Sequence, residues 1–206
     1  MNRLTFRRAA ALVVLVLAAA CGGSPEQPAA QFDAKAPDVP YIDQYSPAGK
    51  DASYDGTENC GPALLAGIAK ARGETGGLTD ASLINLLAAT AGTRPADGTT
   101  GHGMIAALEW LGMQTGANPG GDLGWIDDEL AAGHDVVANG DFYAVPGREA
   151  PGLHAGHYIA VTAARDGWSS YKVTDPADGR VTSLTDSQLQ TFIESNPQGG
   201  FTISTW

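Results

Sequence analysis

The sequence changes character near residue 134, and the order of its two patterns limits the folds open to it. Before that point, the regular segments have the apolar spacing of helices. After it come "DVVANGDFYAV" (135–145), "GHYIAVTAA" (156–164), "WSSYKVTD" (168–175) and "GGFTISTW" (199–206). These segments are rich in β-branched and aromatic residues and bounded by Gly or Asp, which predicts strands of an antiparallel sheet. Helices followed by strands indicate an α+β fold and not a doubly wound parallel sheet.

The first half of the sequence predicts four helices, and a fifth interrupts the strands. The first follows Pro62, because proline suits the first turn of a helix, where its missing N–H would be unpaired in any case. This helix is apolar nearly all round, which predicts burial at the centre of the domain. The predicted helices span 63–71, 80–90, 103–113, 125–132 and 186–194.

The N-terminal segment is typical of an exported bacterial protein. Three arginines, at positions 3, 7 and 8, precede an apolar run over 9–20 that is too short to span a bilayer, which takes about 20 residues. We therefore expect a signal peptide over 1–20. The segment "LAAAC" resembles a bacterial lipobox and implies lipid on Cys21, which would anchor the protein to the outer face of the membrane. The alternative is ordinary cleavage in the 18–20 alanine run and a secreted protein.

The composition beyond the signal segment predicts one acidic domain on a tether. Residues 21–38 are rich in Pro, Ala and Gly without periodicity, which is typical of a flexible tether, and 39–206 form the domain. Without the three N-terminal arginines, 9 of the 12 Lys and Arg residues remain against 23 Asp and Glu. Nucleic-acid binding needs a basic face, so this charge argues against it.

The stretch "TENCGPALLAGIAK" (57–70) places Cys60 at the start of the first helix. The chain has one other cysteine, Cys21, and if that residue carries lipid, Cys60 has no partner for a disulfide. A buried cysteine can act simply as a small apolar residue. However, backbone N–H groups and the positive end of the helix dipole favour the thiolate at this position. Cys60 is therefore a candidate nucleophile that needs a nearby base.

The chain has four histidines, and one of them is placed as a catalytic base would be. His102 at a helix start and His134 in a turn have ordinary surface or capping roles as their simplest interpretation. His154 and His157 form an H-x-x-H pair, but no third ligand at suitable spacing supports a metal site. His157 opens a strand, and a hairpin would bring Asp175, at the end of the next strand, to the same sheet edge. An aspartate there could orient the imidazole through its second nitrogen.

Four segments in order resemble one peptidase family. They are "VPYIDQYS" (39–46), "ENCGPALLAGIAKARG" (58–73), "LAAGHDVVANGDFY" (131–143) and "GHYIAVTAARDGWSSYKVTDPADG" (156–179). Together they resemble the papain-fold cysteine peptidases related to the bacteriocin-processing group, family thirty-nine. That family has P-x-x-x-Q upstream, C-G-P at the helix start, G-H with an apolar strand, and D-P after the next strand. The resemblance implies a nucleophile on a buried N-terminal helix that packs against a C-terminal antiparallel sheet.

The resemblance also implies roles for individual residues. Cys60 would be the nucleophile, His157 the general base and acid, and Asp175 the orienting residue, with Asp178 as the alternative for that third position. Gln44 would donate its amide to the oxyanion beside the backbone N–H of Cys60, or else be a solvated loop residue. No cofactor or metal is implied. The helix at 101–113 and the loop at 141–155, with aromatic residues at 142 and 143, are expected to line the groove.

Three functions are compatible with these residues. The first is a cell-surface cysteine hydrolase that cleaves peptide or isopeptide bonds, with a peptide or protein as its substrate. The second is a papain-fold binding lipoprotein without turnover, and the third is an acyl transferase that uses the same triad. The complete set of candidate residues favours an enzyme, because a degenerate module would be expected to have lost at least one of them. The triad does not separate hydrolysis from transfer.

Overall fold

The fold is a six-stranded antiparallel sheet with helices on both faces. A computed structural model describes residues 38–45, 56–164, 170–179 and 181–206. The helices are α1 (Cys60–Ala71), α2 (Asp80–Ala91), α3 (Gly101–Trp110), α4 (Leu123–Ala131) and α5 (Asp186–Glu194). The strands are β1 (Thr115–Pro119), β2 (Asp135–Asp141), β3 (Gly156–Ala164), β4 (Ser170–Thr174), β5 (Val181–Thr185) and β6 (Phe201–Thr205).

The strands lie in the order β1-β6-β2-β3-β4-β5, and neighbouring strands are antiparallel. The β2–β3–β4–β5 half is a meander, and β6 returns from α5 to pair with β2 on its other side. This confirms the predicted α+β class. The predicted signal peptide, Cys21 and most of the predicted tether lie outside the described residues. No helix in the described ranges is long and apolar enough to cross a membrane.

Each face of the sheet carries its own apolar core, because successive strand residues point to opposite faces. On one face, β-strand residues such as Val137 and Ala160 pack against α1, α2 and α3. On the other face, Val136 and Ile159 pack against α4 and α5. Every residue of α1 from Cys60 to Ala69 is buried. The expectation that this apolar helix lies at the domain centre is thereby confirmed.

The helices α2, α3 and α5 each begin after a threonine whose side chain caps the helix N-terminus. The Thr79 hydroxyl accepts the Ser82 N–H at the start of α2, and Thr100 accepts the Gly103 N–H at the start of α3. The predicted span of α5 is confirmed, and Thr185 begins it with a reciprocal capping box.

The ends of the predicted helices and strands shift by up to about three residues; α1 begins at Cys60 and α3 spans Gly101–Trp110. Three further segments differ from the sequence-based prediction. The short edge strands β1 and β5 were not predicted; β1 contains Gly, Asn and Pro, which are poor strand formers that pairing with β6 overrides.

Residues 142–145 were predicted to continue the strand that begins at 135. The strand β2 instead ends at Asp141, and a 3₁₀ turn, Phe142–Ala144, follows it. The Asp141 carboxylate accepts the Tyr143 N–H at 3.1 Å, and this local bond replaces a ladder bond.

The N-terminal segment of the domain, 38–45, lies across α1 and the end of β4. A Cβ on Gly67 would stand 2.7 Å from the Pro40 carbonyl oxygen, so only glycine lets α1 approach this closely. The Thr174 hydroxyl donates to the Val39 carbonyl at 3.2 Å, and the Gln44 N–H donates to the Pro176 carbonyl at 3.0 Å. These contacts fix the segment that carries Gln44 beside the turn that carries Asp175.

Candidate active site

Cys60 is the first residue of α1 and is 6% exposed. It is a free thiol. The residues around it explain the C-G-P sequence. A Cβ on Gly61 would lie 2.8 Å from the Met104 sulfur, so glycine allows the start of α1 to pack against α3. Asn59 before it makes no side-chain cap, which leaves the helix dipole facing the thiol uncompensated by a capping side chain.

His157 and Asp175 meet through the pairing of β3 with β4. His157 is the second residue of β3, and Asp175 follows the last residue of β4. Because the two strands are antiparallel, the start of β3 and the end of β4 lie side by side at the same end of the sheet. The His157 Nε2 is 2.9 Å from the Asp175 Oδ1, and both residues are 2% exposed. This bond occupies Nε2 and leaves Nδ1 as the ring nitrogen available to a nucleophile. Cys60 lies near enough to the ring to raise its pKa.

The His157 ring is held in its charged form. Burial alone would lower the pKa of His157, but hydrogen bonds to Asp175 and to Cys60 outweigh it and raise the pKa to about 9. Burial would raise the pKa of Asp175, but the contact with His157, the Ala177 N–H and Arg148 lower it. At neutral pH the arrangement therefore favours an imidazolium beside an ionised aspartate.

Gln44 is buried beside a short 3₁₀ helix, Thr57–Asn59, which immediately precedes Cys60. Its Nε2 donates to the Gly56 carbonyl at 3.3 Å and to the Thr57 carbonyl at 3.5 Å, both long for hydrogen bonds. Its Oε1 is buried without a hydrogen-bond partner. The side chain is thus not a solvated loop residue. To donate to an oxyanion, the amide must give up at least one of these two weak bonds.

Asp178, the alternative third residue of the triad, pairs with Arg148 and not with His157. Its Oδ2 is 2.8 Å from the Arg148 Nη2, and the same guanidinium places Nη1 2.9 Å from the Asp175 Oδ2. His157 is bonded to Asp175 and not to Asp178. No sequence motif indicates Arg148, which lies in an irregular loop 27 positions before Asp175.

The other histidines have separate partners. His134 pairs with Glu129 at 2.6 Å and stacks on the Trp206 ring, with 4.4 Å between centroids. His154 pairs with Asp141 at 2.7 Å, so the two histidines of H-x-x-H bind different carboxylates. Within the described ranges, no group of three or more His, Cys, Asp or Glu residues could hold a metal.

A cleft of about 510 Å³ opens beside Cys60. Three chain segments line it: 96–101, 154–156 and 196–199. Only the first residue of α3 and the end of the 141–155 loop line it, which is less of both than expected. Most of the loop lines a separate hollow of about 230 Å³, and Phe142 instead packs edge-on against the His157 ring, 5.2 Å between centroids.

Two asparagines that no sequence motif indicates also line this cleft. Asn139 of β2 donates to the His157 carbonyl at 3.3 Å, and Asn196 after α5 donates to both Asn139 Oδ1 and the Gly140 carbonyl. Both are buried. These bonds connect the backbone of His157 to the segment 196–199. No spacing in the sequence indicates that Asn139 and Asn196 pair, because they are far apart in the chain.

Similarity to known proteins is detectable at the level of structure. No protein-family model matches this sequence, and no curated protein matches it. The peptidase domain of Streptococcus ComA, a bifunctional ABC transporter involved in a quorum sensing pathway, superposes with a TM-score of 0.52 at 22% identity, covering 81% of this chain and 95% of that one. A double-glycine motif protease from an AMS/PCAT transporter, in complex with its leader peptide, gives 0.50 at 14% identity, covering 83% and 93%.

A third structure, from Bacillus anthracis and described as "C39-like peptidase", gives a TM-score of 0.50 at 16% identity, covering 84% of this chain and 96% of that one. These chains are matched over nearly their full lengths. The predicted papain-like fold is confirmed: this chain has the fold of family thirty-nine peptidase domains.

Proposed function

We propose that this protein is a cysteine peptidase in which Cys60 attacks the substrate, His157 transfers the proton and Asp175 orients the ring. The observation that carries this is the position of the His157 ring, which is buried, bonded through Nε2 to Asp175, and near enough to the Cys60 thiol for that thiol to raise the pKa of the ring. This is the nucleophile, base and orienting residue that covalent hydrolysis requires.

The first half of the reaction forms a thioester. The Cys60 thiolate attacks the carbonyl carbon, and the electron pair of the C=O bond moves onto its oxygen. The backbone N–H of Cys60 and the Gln44 amide stabilise that oxyanion. As the oxyanion collapses, the C–N bond breaks, and the His157 imidazolium gives its proton to the leaving amine.

The second half restores the resting site. Neutral His157 takes a proton from water, and the hydroxide formed attacks the thioester carbon. The C–S bond breaks, the carboxylic acid product leaves, and Cys60 returns to the thiolate beside the protonated ring. An amine in place of water would give acyl transfer by the same steps.

A peptide is the substrate class that best fits the site. The cleft beside Cys60 has a volume of about 510 Å³, which gives room for a short segment of a peptide. One structural neighbour has been solved with a leader peptide bound, which supports peptide binding on this fold. Two acidic residues, Glu58 and Asp97, line the cleft, and their charge favours peptides with basic side chains.

We also propose that the domain acts at the outer face of the bacterial membrane, tethered through lipid on Cys21. The support is the basic and apolar N-terminal segment, and the small residues that precede this cysteine. Stable anchoring takes two acyl chains or an equivalent second signal, which a diacylated cysteine supplies.

A peptide library derived from a bacterial proteome tests the proposed activity. The protein is incubated with the library, and new peptide termini are read by mass spectrometry in parallel with Cys60→Ala and His134→Ala variants. We expect cleavage by the protein and by His134→Ala, and none by Cys60→Ala. Cleavage that survives in Cys60→Ala would overturn the assignment. Peptides bound but never cut would identify a binding module, and amine adducts in place of free termini would identify a transferase.

A further inference from the structure

Arg148 occupies a position that the proposed reaction does not by itself explain. It lies in the loop between the 3₁₀ turn and β3, and its side chain is 14% exposed. Its guanidinium reaches two carboxylates at once: Nη1 is 2.9 Å from the Asp175 Oδ2, and Nη2 is 2.8 Å from the Asp178 Oδ2. A planar fork can bridge two carboxylates in this way, whereas an ammonium group is a point charge.

The Asp175 carboxylate is thereby held on both oxygens. Its Oδ1 accepts from the His157 Nε2 at 2.9 Å and from the Ala177 N–H at 2.8 Å. Its Oδ2 accepts from Arg148. A rotation of the carboxylate that weakened the bond to His157 would therefore also break the bond to Arg148.

Arg148 is also connected to His157 through the Phe142 ring, which contacts both residues. Its guanidinium carbon lies 4.5 Å from the centroid of the Phe142 ring, and that ring stands perpendicular to the His157 ring at 5.2 Å. Arg148, Asp175, His157 and Phe142 thus form a closed circuit of contacts. The circuit covers the His157–Asp175 bond and fixes the plane of the imidazole as well as the direction of the carboxylate.

We propose that Arg148 is a positioning residue that locks Asp175 onto His157 and keeps Asp178 out of the third catalytic position. The proposal rests on the proposed function of Cys60 and His157. Arg148 does not touch the reacting atoms, and it acts through the carboxylate and the aromatic ring that it contacts.

The charges around His157 give this proposal a distinctive consequence. The ring faces Cys60 from α1 and Asp175 from the turn after β4, Arg148 and Asp178 stand behind Asp175, and the Asp141–His154 pair lies at the adjoining end of β2. Removing the guanidinium frees the Asp175 carboxylate to turn away from the ring. The hydrogen bond to Asp175 is the largest influence that raises the pKa of His157, so weakening it must lower that pKa.

The test compares Arg148→Gln and Arg148→Lys with Arg72→Gln. Arg72 is a matched control, because it pairs with a buried carboxylate, Asp135, at 2.6 Å, away from the proposed site. Histidine titration by NMR, thermal unfolding and steady-state kinetics are measured on each. For Arg148→Gln we expect the pKa of His157 to fall by about one unit and kcat to fall more than KM rises. Arg148→Lys should keep the pKa of His157 near that of the parent but recover kcat only in part.

Arg72→Gln should lower the melting temperature and leave His157 unchanged. If Arg148→Gln lowers the melting temperature but leaves the pKa of His157 unmoved or raised, Arg148 does not hold Asp175 on the ring and the proposal is wrong. Full kcat in Arg148→Lys would overturn the bridging role. Should Arg148→Gln not fold, the double variant Arg148→Gln/Asp178→Asn, which removes one charge of each sign, takes its place with the same expectations. Because the His157 titration needs no substrate, it decides the role of Arg148 even if the parent protein cleaves no peptide.

Discussion

The Nε2 of His157 lies 2.9 Å from the Oδ1 of Asp175, although 18 positions separate the two residues in the chain. The β3–β4 pairing supplies the approach, and the burial of both side chains strengthens the bond, because charges interact more strongly away from water. The same burial makes each partner depend on the other, since one buried charge without its counterpart is costly.

Changes at Asp175 should separate orientation from stability. Asp175→Ala leaves a buried imidazolium unpaired, so we expect a loss of roughly 3–5 kcal/mol in stability and a clear fall in kcat. In Asp175→Asn the amide oxygen can still accept from the ring, so kcat should fall only mildly. The new NH₂ group would face the donors of Arg148, however, so this variant should melt lower. Adding Arg148→Gln to Asp175→Asn should restore part of the lost melting temperature.

Asp178→Ala is the matched control for that series, because Asp178 binds the same guanidinium but not the ring. It should keep most of kcat, while His157→Ala should abolish turnover. Activity lost in Asp178→Ala but kept in Asp175→Ala would show that the triad is wrongly assigned.

Gln44→Ala should keep the fold and lower kcat by about 10²–10³-fold, the usual effect of removing one oxyanion donor. KM should change little, because the oxyanion exists only after attack. Kinetics and thermal unfolding, measured together, check this. A lower melting temperature with unchanged kcat would mean that the bonds from Gln44 to the Gly56 and Thr57 carbonyls serve only to hold the loop.

The contribution of His157 to stability should depend on pH in a defined direction. Its pKa is raised from 6.5 to about 9, so its contribution is complete below 6.5 and is lost as the pH rises towards 9. The pKa of Asp175 is lowered, so its contribution is lost only as the pH falls below the usual carboxyl range. The difference in melting temperature between the protein and His157→Gln should therefore be largest near about pH 6 and shrink by about pH 9. A difference that stays constant over this range would contradict the charged state proposed for the ring.

The lipid anchor predicts partitioning into detergent. The mature protein should enter the detergent phase of a Triton X-114 separation, and Cys21→Ala should remain in the aqueous phase, because two acyl chains contribute about 0.8 kcal/mol per buried CH₂. Cys60→Ala is the control and should partition as the parent does. A Cys21→Ala protein that stays with the detergent would exclude this anchor.

The sequence predicted those parts of the molecule that depend on local pattern or on a known motif order. The helix over 186–194, the buried α1 and the strand that carries His157 follow from periodicity and from turn residues. The edge strand β1 could not be predicted, because it pairs with β6, far away in the chain, and its own composition of Gly, Asn and Pro disfavours a strand. The strand β5 was missed although its composition, VTSLT, is typical of a strand and its partner β4 is next to it in the chain. Arg148 was missed for a reason similar to that for β1: its significance arises only when the fold places it between two carboxylates.

The rate of alkylation of Cys60 tests the central claim most directly, because it needs no knowledge of the substrate. The protein, His157→Ala and the control His134→Ala are treated with iodoacetamide at about pH 6, where an ordinary cysteine with a pKa near 8.5 is almost wholly protonated. Mass spectrometry with peptide mapping follows Cys60. A thiolate paired with the His157 imidazolium predicts labelling at least about tenfold faster than that of a free cysteine, lost in His157→Ala and kept in His134→Ala. Labelling as slow as that of a free cysteine, and unchanged by His157→Ala, would contradict the account.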